Sequence, residues 1–67
     1  MSPRKLGVTL KRLREAKGIS QLQLAKQAKV AQGYISEIEA GEKKNLGIET
    51  LRKLAKALGV PVTELLG

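Results

Sequence analysis

Apolar residues recur along this chain at helical spacing. Leu6, Leu10 and Leu13 stand at i, i+4 and i+7, one stripe of a helix, with Lys11, Arg12 and Arg14 beside it. Gly18 follows at the position where helices favour a residue free to take positive φ. Ser20, with Gln23 three residues on, forms an S-x-x-Q capping box that opens a second helix. Leu24, Ala25 and Ala28 give that helix a narrow apolar face, and it ends near Ala28-Lys29. Ile35 and Ile38, with Ala31 as a weaker member, mark a third helix closed by Gly41. The stretch Glu42-Lys43-Lys44-Asn45-Leu46-Gly47 reads as a loop. A fourth helix runs from about Ile48 to Leu58, with Leu51, Leu54, Ala55 and Leu58 inward and Gly59 just past its end. Pro61 fits the first position of a short fifth helix that carries Leu65 and Leu66. Only Val60-Pro61-Val62 is short enough to be ambiguous with a strand. Residues 1–5 read as a flexible basic arm, and residues 6–67 as one domain.

The fold class is therefore all-α, five helices in a small globule. The second and third helices are separated by only two or three residues, which forces a sharp turn, the arrangement of a helix-turn-helix. Composition narrows the chemistry. A chain of 67 residues buries only about 60% of the surface it exposes when unfolded, so caps and turns must support the core. It has no cysteine, histidine or aspartate. Disulfides, Ser-His-Asp and Cys-His catalytic sets, and the usual zinc ligands are thereby excluded. No enzyme activity, metal, cofactor or small-molecule ligand is expected. The apolar runs are far short of a membrane span, and no signal-peptide block opens the chain, so a soluble protein without a membrane partner is expected. Thirteen Lys+Arg against six Glu leave a net charge of +7, which suits a polyanionic partner. The plain alternative is a solubilising surface. A single Tyr with no Phe or Trp argues against stacking on single-stranded bases.

Several stretches then carry a resemblance. Leu6-Gly7, Leu10, the run Leu13-Arg14-Glu15-Ala16-Lys17-Gly18-Ile19-Ser20-Gln21 and Leu24-Ala25 are similar to the lambda-repressor-like (Xre/Cro-type) helix-turn-helix family. So are Ile35-Ser36-Glu37-Ile38-Glu39-Ala40-Gly41, Glu49-Thr50-Leu51 and Leu54-Ala55-Lys56-Ala57-Leu58-Gly59-Val60. The resemblance spans about residues 6–66. It implies a compact five-helix domain whose third helix enters the DNA major groove, and operator binding as a homodimer. The chain departs from the family's pattern at three places. Lys29 stands where the turn commonly has Gly, Ala31 where Ser or Thr commonly caps the third helix, and the loop after Gly41 is one or two residues longer and lacks a frequent Pro.

At 100° per residue, Ala31, Ile35, Ile38 and Glu39 share one side of the third helix. Gly33, Ser36, Glu37 and Ala40 face the other way, with Tyr34 on a flank and Gln32 at the N-terminal end. The resemblance carries base-reading roles onto Gln32, Gly33, Tyr34 and Glu37. Gln32 suits adenine N6/N7, its alternative being an ordinary polar residue of the first turn. Tyr34 reads either as a contact to a thymine methyl or phosphate, or as packing at the edge of the core. Gly33 reads either as allowing close approach or as a weak point of the helix. Glu37 has three readings: an acceptor for cytosine N4, an ion-pair partner of a neighbouring Lys or Arg, or a contact to a protein. Phosphate contacts fall on Gln21, at the start of the second helix, on Ser36, on Lys43 and Lys44 in the following loop, and on Lys29 in the turn. Lys43 and Lys44 read alternatively as an ordinary solvated pair. Arg14 and Glu39 lie beside apolar stripes, and the family commonly pairs them, so an ion pair joining the first and third helices is expected. Leu22 falls outside the inward pattern of its helix and is expected to be half-buried.

The function expected from this reading is a sequence-specific double-stranded DNA-binding transcriptional regulator, a repressor of bacterial or phage origin acting in the cytoplasm. Its alternatives are an antitoxin or restriction-modification controller on the same fold, or a coactivator-type protein-interaction module, which Glu37 keeps open. Leu65, Leu66 and Leu46 are candidates for the dimer surface, and equally for the core.

Overall fold

The first helix begins earlier than the arm over residues 1–5 allowed. Ser2 is extended and its Oγ accepts from the Lys5 amide at 3.1 Å, while Pro3 occupies the first turn, where its missing N–H costs nothing. Residues 3–5 are therefore helical, because a serine cap and a proline together start a helix that the basic residues alone did not announce. The computed structural model describes residues 2–43 and 46–66. It is all-α in these residues: α1 (Pro3–Ala16), α2 (Gln21–Ala28), α3 (Gln32–Glu39), α4 (Ile48–Leu58) and α5 (Thr63–Leu66).

The capping box at α2 is present in full. The Gln23 amide donates to Ser20 Oγ at 3.0 Å, and the Ser20 amide donates to Gln23 Oε1 at 2.7 Å. Four helices then end in the same hydrogen-bonded loop, in which two successive amides past the helix reach back to its last carbonyls. At α2, Lys29 N–H donates to Lys26 O at 3.3 Å and Val30 N–H to Ala25 O at 2.9 Å. The equivalent pairs run from Gly18 and Ile19 at α1, Gly41 and Glu42 at α3, and Gly59 and Val60 at α4. The first residue of each pair is left-handed, with φ of 74°, 77° and 71° at the three glycines and 59° at Lys29. A lysine there bears a strain of about 1 kcal/mol that glycine avoids.

The inward stripes meet in one core of Leu6, Leu10, Leu24, Ile35, Ile38, Leu51, Leu54, Leu58 and Leu65, with alanines 25, 28 and 55 between them. The backbones of α1 and α3 approach so closely at Gly7 that a Cβ there would overlap the Ile38 carbonyl oxygen and stand 2.9 Å from that of Glu39. Two expectations need correction. Pro61 lies before α5, not in its first position: Glu64 N–H donates to Pro61 O, and the helix proper starts at Thr63. Leu22 is exposed, at 46%, because α2 presents only Leu24, Ala25 and Ala28 to the core. Leu65 is buried in the core and Leu46 packs against it, whereas Leu66 remains exposed.

Candidate nucleic-acid interface

After the turn at residues 29–31, α3 packs one face on α1 and α2 and leaves the other uncovered. Gln32, Gly33, Ser36, Glu37 and Ala40 are all exposed on it, while Ile35 and Ile38 are buried beneath. Among the described residues, and apart from the helix's own backbone, nothing lies within 4 Å of a Cβ placed on Gly33, so packing between these elements does not require a glycine there. Ala31 caps α3 with the correct extended backbone but without a side-chain hydrogen bond, leaving that helix start to its own amides.

Tyr34 sits at the margin of this face, partly buried against the core. The Lys43 ammonium lies 4.8 Å from the centre of its ring and 4.0 Å from Glu37 Oε1. Glu37 and Lys43 thus form a loose pair at the surface, and the tyrosine face gives the cation a second partner. Lys44 lies outside the described residues. The charges on α3 itself are both acidic, Glu37 and Glu39, so attraction for an anion must come from residues beside the helix rather than on it.

Behind the exposed face, Arg14 and Glu39 join α1 to α3. Arg14 Nε donates to Glu39 Oε2 at 2.6 Å and Nη2 to Oε1 at 2.9 Å, a two-point contact. Arg14 Nη1 also donates to Ile19 O at 2.9 Å, and Gln21 Nε2 to Glu39 Oε1 at 3.1 Å. The side chains are nearly enclosed, at 11% and 4% exposure. Burial alone would raise the Glu39 carboxyl, but the hydrogen bonds from Arg14 and Gln21, with the charges of Arg14 and Lys11, outweigh it and hold the group below the usual carboxylate range. The hydrogen bond to Glu39 likewise raises the Arg14 guanidinium.

Gln21 is therefore held by Glu39, with its side-chain N–H committed inside the protein, at the first position of α2 where backbone amides lack helical partners. Over this cluster runs a polar groove of about 490 Å³ lined by Lys11, Gln21 and Ser36, among others. It brings two of the expected phosphate residues together and adds Lys11, which the sequence reading placed only as a charge beside the first stripe. The signal was available: Lys11 stands three residues before Arg14 and so shares its side of the helix. Lys29 lies elsewhere, beside Lys53 and Lys56 in a groove between α2 and α4.

Two short helices joined through a tight left-handed turn, with the second held by the first and by α1 while its outer face is free, define a helix-turn-helix domain. The chain belongs to the helix-turn-helix family HTH_3, whose model matches residues 10–65. It is similar to the transcriptional regulator SinR of Bacillus subtilis, 39% identical over 61 residues that make up 91% of this chain and 55% of SinR. It is similar also to the immunity repressor of Bacillus phage phi105, 32% identical over 92% of this chain and 42% of that protein. The chain thus spans about half the length of these curated relatives. Among solved structures, SinR in complex with DNA superposes with a TM-score of 0.88 at 39% identity, over 92% of this chain and 98% of that one. The restriction-modification controller C.AhdI from Aeromonas hydrophila superposes at 0.90 with 36% identity, over 94% of each.

Proposed function

We propose that this chain binds double-stranded DNA in a sequence-specific manner and regulates transcription by occupying an operator, as a repressor, with α3 in the major groove. The observation that carries the reading is the uncovered face of α3 on a domain that superposes on the DNA-binding form of SinR. Gln32, Gly33 and Glu37 stand on that face as base readers, and Tyr34 at its margin. Gln32 reaches adenine N6/N7, and Glu37 either accepts from cytosine N4 or stays with Lys43. Gln21, Ser36, Lys43 and Lys44 serve the phosphates, with Lys11 beside them. Lys29, on the α2–α4 side, is the least favoured of the phosphate set. The action is binding alone, in the cytoplasm of a bacterium, and no bond is made or broken.

Two copies on a two-fold symmetric operator give the affinity and register that one recognition helix lacks. Selection of bound sites from a random duplex library, with the mass of the complex measured in parallel, tests this. A palindromic site bound by two copies is expected, and absence of binding to any duplex at low salt overturns the proposal in favour of a protein-interaction module. Within the class, the 94% mutual coverage with C.AhdI favours a restriction-modification controller as the second reading. An operator lying before a methylase or endonuclease gene would decide for it.

A further inference from the structure

Apart from Lys29, the least favoured of the phosphate set, the residues of the groove between α2 and α4 play no part in the reading above. It measures about 490 Å³ and is lined by Gln27, Ala28, Lys29, Lys53, Lys56 and Ala57. We propose that it is a binding site for a compact polyphosphate, the di- or triphosphate group of a small molecule, held by Lys29, Lys53 and Lys56.

Three observations carry this. First, three exposed lysines from two elements, the turn after α2 and the outer side of α4, line one groove, and none of the three forms an ion pair among the described residues. The acidic residues that do pair are Glu39, Glu37 and Glu49, with Arg14, Lys43 and Arg52. Like charges gathered without acids repel one another unless an anion joins them. Second, Lys29 is the one non-glycine residue among the four left-handed helix ends. The fold uses glycine for the same loop at Gly18, Gly41 and Gly59, so lysine at this end is strained for no gain in packing or hydrogen bonding that the other ends lack. Lys29 lines the groove together with Lys53 and Lys56. Third, the charge of the lining sets the class of ligand: three positive charges with no acidic residue match a group that carries several negative charges in a small volume, as a di- or triphosphate does, and lysine binds phosphate oxygens as a compact point charge. Gln27 and alanines 28 and 57 make up the rest of the lining. Lys17, whose ammonium donates to Ala57 O at 2.7 Å, adds a fourth positive charge at the same end of α4.

The test titrates inorganic triphosphate into the whole chain, without divalent cations, following amide chemical shifts and the unfolding midpoint. Shifts centred on Gln27, Lys29, Lys53 and Lys56 and a raised midpoint are expected. Lys53→Gln/Lys56→Gln should weaken binding about tenfold or more, whereas Lys5→Gln/Arg12→Gln, with the same loss of charge, should leave it unchanged. Lys29→Gly separates site from scaffold. It should raise the midpoint of the free protein by removing backbone strain while weakening triphosphate binding, a combination that a purely structural lysine cannot produce. Equal weakening in both double variants, full binding by Lys29→Gly, or no binding by the unaltered chain would each overturn the proposal. So would saturable binding of a polyglutamate peptide in place of triphosphate, which would reassign the groove to a protein partner. Random-duplex affinity should be retained in Lys53→Gln/Lys56→Gln; its loss would reassign the lysines to the DNA backbone. The triphosphate and peptide outcomes do not depend on whether α3 reads DNA.

Discussion

Removal of the Arg14–Glu39 pair should be costly one partner at a time and cheap when both leave together. Glu39 accepts three hydrogen bonds, two from Arg14 and one from Gln21, with 4% of its side chain exposed. Arg14→Met leaves a buried carboxylate with Gln21 as its remaining side-chain donor, which places the loss near about 4 kcal/mol. Glu39→Gln is milder, about 2–3 kcal/mol, because its carbonyl still accepts from Arg14 while its amide opposes the second Arg14 donor, and Arg14 keeps Ile19 O. A domain of this size has a total stability of only ~3–10 kcal/mol, so Arg14→Met stands close to global unfolding and is best measured in a stabilising osmolyte. Arg14→Met/Glu39→Leu removes both charges and should lie within about 1–2 kcal/mol of the parent, far from the sum of the single changes. Urea unfolding followed by circular dichroism reads all of these. The pH profile gives a second measure. The folded carboxyl is held below its ordinary value of 4.5, so its contribution is complete above that pH and is lost as pH falls through the folded value. The drop in stability below about pH 4.5 should shrink in Glu39→Gln. Single variants that each lose under about 1 kcal/mol and add without coupling would refute the reasoning.

Other substitutions test the neighbouring contacts. Gly7→Ala should destabilise by about 2–3 kcal/mol or prevent folding, since its Cβ meets the backbone carbonyls of Ile38 and Glu39, which cannot move aside; thermal unfolding checks it. Among the described residues a Cβ on Gly33 meets nothing beyond its own helix within 4 Å, so Gly33→Ala should stabilise α3 by up to about 1 kcal/mol; an accompanying loss of duplex affinity, measured by fluorescence anisotropy, would show that the glycine serves the approach of DNA. Ala31→Ser supplies the missing side-chain cap of α3 and should add about 1 kcal/mol in the same unfolding assay. Lys43→Gln should lower affinity for specific and random duplex alike and reduce the slope of log K against log salt by about one unit; an unchanged slope would leave Lys43 with Glu37 and Tyr34 in the bound state.

Most of the scaffold was legible because its signals are local. The S-x-x-Q box, the glycines at 18, 41 and 59, and the leucine stripes each act within a few residues, and they fall where the helices start, stop and face. The start of α1 was missed although its signal, Ser2-Pro3, was present, because the basic residues after it drew the reading toward an arm. What the sequence did not carry is tertiary. That Gln21 donates to Glu39 depends on where α2 crosses α3, and that Lys29 joins Lys53 and Lys56 depends on how α2 packs on α4. Both pairings span 18 or more residues of chain, beyond the reach of any periodicity.

The departures from local consistency are not scattered over the molecule. Lys29 holds a left-handed backbone, Ala31 caps a helix without a side-chain acceptor, and Gly33 sits in a helix where nothing crowds it. All three fall within five consecutive residues, from the turn into the first turn of α3. Elsewhere the chain keeps to the rules more closely, although α4 too starts without a side-chain cap, at Gly47: α1 and α2 have serine caps, three helix ends have glycine, and no buried side-chain nitrogen or oxygen among the described residues lacks a hydrogen bond. Local stability is withheld from the segment that leads into the exposed helix, while the position of that helix is fixed from outside the segment, by Arg14–Glu39 from behind and by the close backbone approach at Gly7. Chains that fold well tend to break local rules where they act on something outside themselves. Here one break faces the α2–α4 groove and another lies on the outer face of α3, so a single short segment adjoins both surfaces. A ligand in the groove that fixed Lys29 would therefore act on the residues that lead directly into α3 and its exposed face.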